Sequence, residues 1–318
     1  MKAMKAAGPE LPNQAGKWGR LGRRLYRDRS LYLLALPGIL FLILFKYVPM
    51  WGIVIAFQDY SPFAGILHSP WVGLKHFERF FANPDFWMLF RNTIAINLLS
   101  LFLFFPLPIL IALMLNELRS VLFKRLVQTV IYLPHFLSWV IIAGLTFFLF
   151  AKGEGLVNDI LEALGRPRLG VLTNPNAFWL MVTLQSIWKE AGWGTILFLA
   201  GIAGINPSLY EAVKMDGAGR LRQMWHITLP GLRSVIVVLF ILKLGDMMDV
   251  GFEQIFLMYN GAVSNVAEVF DTYVYRLGIK QSQFSYSTAA GLFKSLVGLA
   301  LVLIGNKVAR KFGEEGVF

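Results

Sequence analysis

Long runs of apolar residues dominate this chain, and they restrict its fold more than any other feature does. Each of six runs is long enough to cross a hydrocarbon core of about 30 Å as a helix, at about 1.5 Å per residue. Charged residues make up only 15% of the chain, compared with about 25% in soluble domains. The sequence therefore predicts an all-α, polytopic membrane protein and excludes a soluble enzyme. The predicted spans are residues 31–57, 90–115, 127–150, 177–202, 232–252 and 287–308.

The placement of Lys and Arg predicts the orientation of these spans. With the N-terminus inside, the inner segments hold 18 Lys and Arg residues and the outer loops hold 7. Inner segments of membrane proteins are enriched in these residues, so both termini are expected in the cytoplasm. We divide the chain into a basic cytoplasmic tail (1–30), a transmembrane domain (31–308) and a cytoplasmic C-terminal tail (309–318).

Several kinds of site are excluded or disfavoured by residue usage. The chain has no Cys, which excludes disulfides and thiolate chemistry. Its four His residues are scattered without an i,i+4 pair, so a His-ligated metal is not expected. The net charge of +11 is explained by topology and by attraction to anionic lipids. We expect no bound metal and no nucleic-acid partner.

The inner loop between the fourth and fifth spans has strong helix start and stop signals. Asn206 is a good N-cap, and Pro207 stands at the first helical position, where a missing N–H is tolerated. Gly217 is placed to end this helix in the left-handed conformation. A second short helix is predicted from Ala218 to Leu229, ending at Pro230. Helices this short are not stable alone in water, so the pair is expected to dock on another molecule.

This loop, about 205–231, resembles the EAA loop of the permeases of bacterial ATP-binding-cassette importers. That signature reads E-A-A, three residues, G, nine residues and I-x-L-P. The chain has Glu211-Ala212-Val213, then Gly217, then Ile227-Thr228-Leu229-Pro230, with every spacing met. The one departure is Val213 in place of the second Ala.

The resemblance implies that the loop forms a coupling helix, which docks in a groove of a cytoplasmic ATPase. Glu211 would contact the ATPase ionically, and Gly217 would permit the turn to the second helix. The simpler alternative is an interfacial amphipathic helix with Leu209, Ala212 and Val213 facing lipid. The residues that we assign to ATPase coupling are Glu211, Ala212, Val213, Asp216, Gly217, Ala218, Ile227 and Pro230.

Other segments are similar to sugar importers of the MalF type. Residues 47–62, with Pro49, Trp51 and the run Phe57-Gln58-Asp59-Tyr60, look most like the LplB-like subgroup. The resemblance covers nearly all of the chain beyond residue 30 and implies a type I importer permease fold. It implies an oligosaccharide cargo, with acidic ones such as alginate included.

The resemblance also implies partners: a second, paralogous permease, two ATPase subunits and an extracytoplasmic solute-binding protein. The sequence has no G-x-x-x-x-G-K-[ST] phosphate loop. We therefore expect ATP and Mg²⁺ to bind the partner ATPase, and expect no cofactor and no enzymatic activity on this chain. The expected location is the bacterial cytoplasmic membrane.

Ionisable residues inside spans usually face a cavity or a partner. In the predicted fifth span, Lys243, Asp246, Asp249 and Glu253 fall on one helical face about 120° wide. They could line the substrate pathway, or they could be structural, with Lys243 and Asp246 paired. In the fourth span the candidates are Gln185, Trp188 and Lys189, although Trp188 could equally be packed core. Weaker candidates are Lys46, Asn97 and Lys294.

Two other function classes remain to be weighed. A stand-alone secondary transporter is the nearer alternative, but no inverted internal repeat is evident. An intramembrane enzyme acting on a lipid-linked sugar could use Asp246 and Asp249 as its carboxylates. Neither alternative explains the loop around Glu211.

Overall fold

A computed structural model describes residues 26–314 and 316–317 of the chain. These form two compact units, divided between Val54 and Ile55, which we describe separately. Most of the predicted basic tail (1–30) lies outside the described residues. The described residues are helical apart from turns, loops and one isolated antiparallel bridge between Gln58 and Trp71, so the predicted all-α class is confirmed.

Nine longer helical segments carry the fold, and we label them α1 to α9. Shorter helices are named by their bounds. Among the described residues, α1, α2 and α9 are long and apolar enough to cross a membrane alone, and three bent pairs raise the number to as many as six. The segments are α1 (Arg29–Phe57), α2 (Phe86–Glu117), α3 (Val121–Phe136), α4 (Trp139–Phe150), α5 (Pro175–Ala203), α6 (Pro207–Met215), α7 (Arg220–Gly231), α8 (Arg233–Gly245) and α9 (Phe284–Lys311).

The predicted third span is wrong as a single helix. Its residues belong to α3 and α4, which meet at an angle of 99°. Leu137 adopts an extended backbone at the break, and the Ser138 hydroxyl accepts the Ile141 N–H at 3.3 Å and so caps α4. Pro134 stands in a 3₁₀ turn just before the break. A proline without an N–H and a serine cap together stop one helix and start the next.

The predicted fifth span is also wrong over its last part. Helix α8 ends at Gly245, and residues 246–251 form a turn that leads into the short helix Phe252–Met258. Gly251 has a φ of +94°, which a helix interior does not permit. Three carboxylates, on Asp246, Asp249 and Glu253, therefore lie beyond α8 and do not form the predicted helical face with Lys243.

Three prolines inside long helices each follow a π turn. The turns are Ile43–Tyr47 before Pro49, Ser100–Phe104 before Pro106, and Met224–Thr228 before Pro230. In each case the residue before the proline donates its N–H to the carbonyl five residues back. The wider turn gives the proline ring room. This is why the second helix of the inner loop does not stop at Pro230, as predicted, but continues to Gly231.

Three apolar clusters form the core of the unit 55–318. One joins α4 and α5 to the helices after α8, and an aromatic cluster around Phe80, Phe86 and Phe270 packs against α9. The third cluster lies beside the inner loop and joins α2, α5, α7 and α8. Its fully buried members are Ala112, Leu113, Phe198, Ile202 and Leu232.

Candidate functional site

The inner loop begins as the sequence predicts. Asn206 is the N-cap of α6, and its side-chain oxygen accepts the Ser208 N–H at 3.0 Å. Pro207 occupies the first turn, where its missing N–H would have had no helical partner. Helix α6 leaves α5 at an angle of 72°. The cap thus starts a separate short helix directly after the long membrane helix.

The loop turns at Gly217, as predicted. Gly217 has a φ of +77°, and its N–H donates to the Lys214 carbonyl at 3.1 Å. The Ala218 N–H donates to the Val213 carbonyl, also at 3.1 Å. This pair of bonds is a Schellman motif. It satisfies the last carbonyls of α6 and directs the chain into α7.

Side-chain contacts then fix α6 to the rest of the fold. The Tyr210 hydroxyl lies 3.0 Å from the buried Thr228 hydroxyl of α7. Ala218 is buried, and its carbonyl accepts the Gln223 amide N–H at 2.8 Å. Met224 and Leu229 of α7 pack against the inner apolar cluster, so α6 is linked through α7 to α5 and α8.

The outward surface of α6 is exposed and has no partner among the described residues. Helix α6 contains no buried residue, and Glu211 forms no hydrogen bond or ion pair with any described residue. The same loop has exposed apolar side chains: Leu209 and Met215 of α6 and Leu221 and Trp225 of α7 are 48%, 88%, 71% and 63% exposed. Exposed apolar side chains grouped in one surface element are typical of an interaction site.

The other residues that we assigned to coupling lie in this loop as well. Ala212 and Asp216 are exposed on α6 and at its C-terminus, and Val213 is half-buried. In α7, Ile227 is half-buried and Pro230 is exposed. The structure therefore brings all eight residues into one helix–turn–helix element.

The predicted pathway residues of α5 have unequal surroundings. Trp188 lines an apolar cavity of about 640 Å³ between α4 and α5 and is 49% exposed. Gln185 also borders this cavity, but both ends of its amide are used within the fold. Its nitrogen donates to the Thr146 hydroxyl at 2.8 Å, and its oxygen accepts from Gln254 at 3.0 Å. Of the two, Trp188 has the face free for a sugar ring.

Lys189 has a structural role at the break between α3 and α4. It is 7% exposed, and its ammonium donates to the carbonyls of His135 and Leu137 at 2.6 and 2.7 Å. These carbonyls have lost helical partners at the break. The neighbouring Glu190 accepts from His135 Nδ1 at 2.7 Å, and the His135 ring stacks on Trp193. The ammonium holds the break together and is not free to bind substrate.

The turn after α8 contains a charged cluster that the sequence only partly revealed. Lys294 of α9 binds Asp249 at 2.6 Å and also binds Asp271 of the helix Phe270–Tyr275. Asp271 also accepts the Val250 N–H at 3.1 Å. From the sequence alone Lys294 is only a weak candidate and Asp271 is not a candidate, because residues far apart in sequence carry no pairing signal. Asp246 and Glu253 are exposed and outside this cluster, and Lys243 is half-buried in α8.

Comparisons with known proteins agree with this geometry. The family model described as "Binding-protein-dependent transport system inner membrane component" matches residues 104–313. The chain is 57% identical to the polygalacturonan/rhamnogalacturonan transport system permease protein YteP of Bacillus subtilis, over 94% of this chain and 93% of that protein. It is 51% identical to the protein LplB of the same organism, over 96% of each.

Solved structures give the same result. A chain in the crystal structure of a bacterial alginate ABC transporter, in complex with an alginate pentasaccharide-bound periplasmic protein, has a TM-score of 0.85 and 40% sequence identity. The match covers 94% of this chain and all of that chain. The resemblance to importer permeases that the inner loop indicated is therefore confirmed, together with the type I importer fold. The chain belongs to the family of binding-protein-dependent transport system inner membrane components.

Proposed function

We propose that this chain is one of two membrane subunits of an ATP-driven importer of acidic oligosaccharides. In this proposal α6 docks on a cytoplasmic ATPase, which binds ATP and Mg²⁺. A second, paralogous permease completes the pathway, and an extracytoplasmic solute-binding protein delivers the sugar. The chain lies in the bacterial cytoplasmic membrane with both termini inside.

The observation that carries the coupling role is the contrast between the two sides of α6. Its outward side has an unpaired carboxylate at Glu211 among exposed apolar side chains. Its other side is bound to α7 through Tyr210 and Thr228, and α7 is bound to the core through Leu232. A coupling helix needs one surface that is free to bind the ATPase and another that is fixed to its own subunit, and α6 has both. A lipid-facing interfacial helix would not require an exposed carboxylate that has no partner among the described residues.

The proposed cargo rests on the relatives. A permease 57% identical to this chain is named for polygalacturonan and rhamnogalacturonan, and the matching structures come from a transporter of alginate. These polysaccharides share uronic acid units, so we infer a cargo with ring carboxylates. Alternating access would move it, with each ATPase closure pushing on α6. Pathway roles for Trp188, Lys243 and Asp246 remain predictions.

The test is ATP hydrolysis in proteoliposomes that contain the complete transporter and its binding protein. Glu211→Lys is compared with the wild type and with Glu154→Lys, a charge reversal at an exposed residue in the predicted outer loop. A charge reversal at an interface places like charges next to each other, which costs several kcal/mol. We therefore expect sugar-stimulated hydrolysis to fall at least tenfold in Glu211→Lys and to be unchanged in Glu154→Lys.

Two results would contradict the proposal. One is equal sugar-stimulated hydrolysis in all three proteins, which would remove the coupling role of α6. The other is uptake of sugar by the chain without any co-purifying ATPase, driven by an ion gradient, which would favour a secondary transporter. Uptake of neutral oligosaccharides alone would retain the coupling role and refute the acidic cargo.

A further inference from the structure

A small polar pocket lies at the opposite end of α9 from the inner loop. Its volume is about 210 Å³, the space of roughly seven water molecules at about 30 Å³ each. It is formed by the chain after α1, the helix Lys75–Phe81 and the start of α9. The proposed orientation puts this pocket on the outer face. The side chains that matter below are those of Asp59, His76, Arg79, Ser282 and Gln283, all of which line it.

Two buried acceptors on residues that line this pocket have no hydrogen-bond partner among the described residues. His76 is 7% exposed, and its Nε2 lies 3.1 Å from the Gln58 carbonyl and 3.0 Å from an Asp59 carboxylate oxygen. Since both of these are acceptors, Nε2 is the protonated nitrogen of the tautomer that fits this geometry, and in that tautomer Nδ1 is an acceptor. This Nδ1 is buried without a partner, as is the side-chain oxygen of Gln283. Buried polar atoms are nearly always satisfied, so a ligand with hydrogen-bond donors is indicated.

The pocket also contains a cation that has no carboxylate. The Arg79 guanidinium lies 4.8 Å from the centre of the Tyr286 ring and forms no ion pair with any described residue. The Asp59 carboxylate is already paired, because the Lys75 ammonium binds one of its oxygens at 2.6 Å and the His76 Nε2–H donates to the other. The Lys75 ammonium holds the pKa of the Asp59 carboxyl below its usual range. The charge left over at the pocket is therefore positive.

The backbone beside these side chains is strained. Ser282 has a φ of +55°, and among the described residues it is the single non-glycine residue with a positive φ. Such conformations cost on the order of 1 kcal/mol or more and are concentrated at ligand-binding sites. Ser282 immediately precedes Gln283, so the strained residue sets the position of one of the two free acceptors.

We infer that this pocket binds one uronate unit of the oligosaccharide, with the ring carboxylate on Arg79 and ring hydroxyls donating to His76 Nδ1 and the Gln283 oxygen. A single uronate supplies both the anion and the donors. An Asp or Glu side chain of the binding protein would satisfy Arg79 but would leave both acceptors without donors. This inference rests on the proposed acidic cargo and adds a receiving subsite for it at the outer face.

The test measures sugar binding to the whole transporter in lipid nanodiscs, without the binding protein. The probes are trigalacturonate and its fully methyl-esterified form, which keeps the ring hydroxyls and lacks the charges. Their affinities are measured by ligand-observed saturation-transfer NMR. The variants are Arg79→Gln, Arg79→Lys and Gln283→Leu, and the matched control is Arg166→Gln, at an exposed arginine in the next predicted outer loop.

We expect the wild type to bind the acid about tenfold more tightly than the ester, as one charge-assisted hydrogen bond would give. Arg79→Gln should remove this preference, and Arg79→Lys should restore part of it. Gln283→Leu should lower the affinity for both probes by a similar factor, because it removes the acceptor for a sugar hydroxyl that both probes have. Arg166→Gln should match the wild type. In transport, Arg79→Gln should raise the KM for loaded binding protein and leave kcat nearly unchanged.

The inference is overturned if Arg79→Gln retains the preference for the acid, or if Gln283→Leu binds both probes like the wild type. It is also overturned if Arg79→Gln weakens docking of the sugar-free binding protein and leaves trigalacturonate binding intact, since the occupant would then be a protein carboxylate. Uptake of trigalacturonate by the wild type is measured alongside. If that uptake is absent, the acidic cargo and this subsite are both refuted. If uptake is normal but the Arg79→Gln variant binds trigalacturonate like the wild type, only the subsite is refuted.

Discussion

Two glycines in the inner loop differ in backbone conformation, although they are two residues apart. Gly217 has a φ of +77°, which an L-residue adopts only with strain. Gly219 has a φ of −67° and caps α7. A Cβ atom would meet nothing within 4 Å at either position. Substitution by alanine therefore tests backbone conformation alone, with no change in packing.

We predict that Gly217→Ala destabilises the turn by about 1–2 kcal/mol, while Gly219→Ala costs only about 0.5 kcal/mol, because alanine is a poorer N-cap residue than glycine. The amides of Gly217 and Ala218 report this directly, because both are hydrogen-bonded in the turn. Their hydrogen exchange should be about 5–30 times faster in Gly217→Ala than in the wild type. Equal exchange in the two variants would show that the turn does not depend on the left-handed glycine.

At the residue scale, sequence reasoning succeeded where the controlling interactions are local. Asn206, Pro207 and Gly217 act within a few residues of themselves, so capping rules predicted the start and end of α6. Lys189 could not be placed in this way, because the carbonyls that it binds are 54 and 52 residues away. A long-range partner leaves no pattern in one sequence, and a buried lysine was therefore assigned to the pathway.

Among the helices, the largest departure from prediction is the break between α3 and α4. The apolar run from Val127 to Phe150 predicted one span, because hydropathy measures only how apolar a segment is and does not report a bend in the backbone. Pro134 and Ser138 within that run give the local signals of a break, and they could have been weighed more heavily. The fifth span was extended past Gly245 for a related reason, since the periodicity of four charged residues fits a helix even where a turn interrupts it.

We predict that Lys189→Met destabilises the protein by about 2 kcal/mol or more, because two buried carbonyls lose their charged donor. Lys307→Met, at an exposed position of α9, is the matched control and should change stability by less than about 0.5 kcal/mol. Thermal unfolding of the detergent-solubilised transporter measures both. Lys189→Arg should recover part of the loss, since it retains the donors. Equal melting of Lys189→Met and the control would mean that the break between α3 and α4 does not need the ammonium.

Across the whole molecule, α9 connects the two sites that we propose. It has 28 residues and, at about 1.5 Å per residue, a length of about 42 Å. The outer pocket lies at its N-terminus. Near its other end Arg233, the first residue of α8, binds Glu314 at 2.6 Å. Between these ends Lys294 joins α9 to Asp249 and Asp271. Helices α8 and α9, packed along their lengths, thus provide a continuous structure between sugar binding and ATPase contact.

The orientation of these two ends in the membrane follows from the charge asymmetry of the loops, and the chain has no Cys, so single cysteines can report it. We predict that Ser208→Cys in α6 reacts with a membrane-impermeant maleimide only after intact cells are permeabilised. Gly153→Cys and Ala262→Cys, exposed in two predicted outer loops, should react in intact cells. All three positions are exposed within the chain, and the labelling is done on the permease expressed without its ATPase, so a difference in labelling measures sidedness and not burial. The opposite pattern would place α6 outside the cell, where a cytoplasmic ATPase could not contact it. It would refute both the orientation and the coupling role.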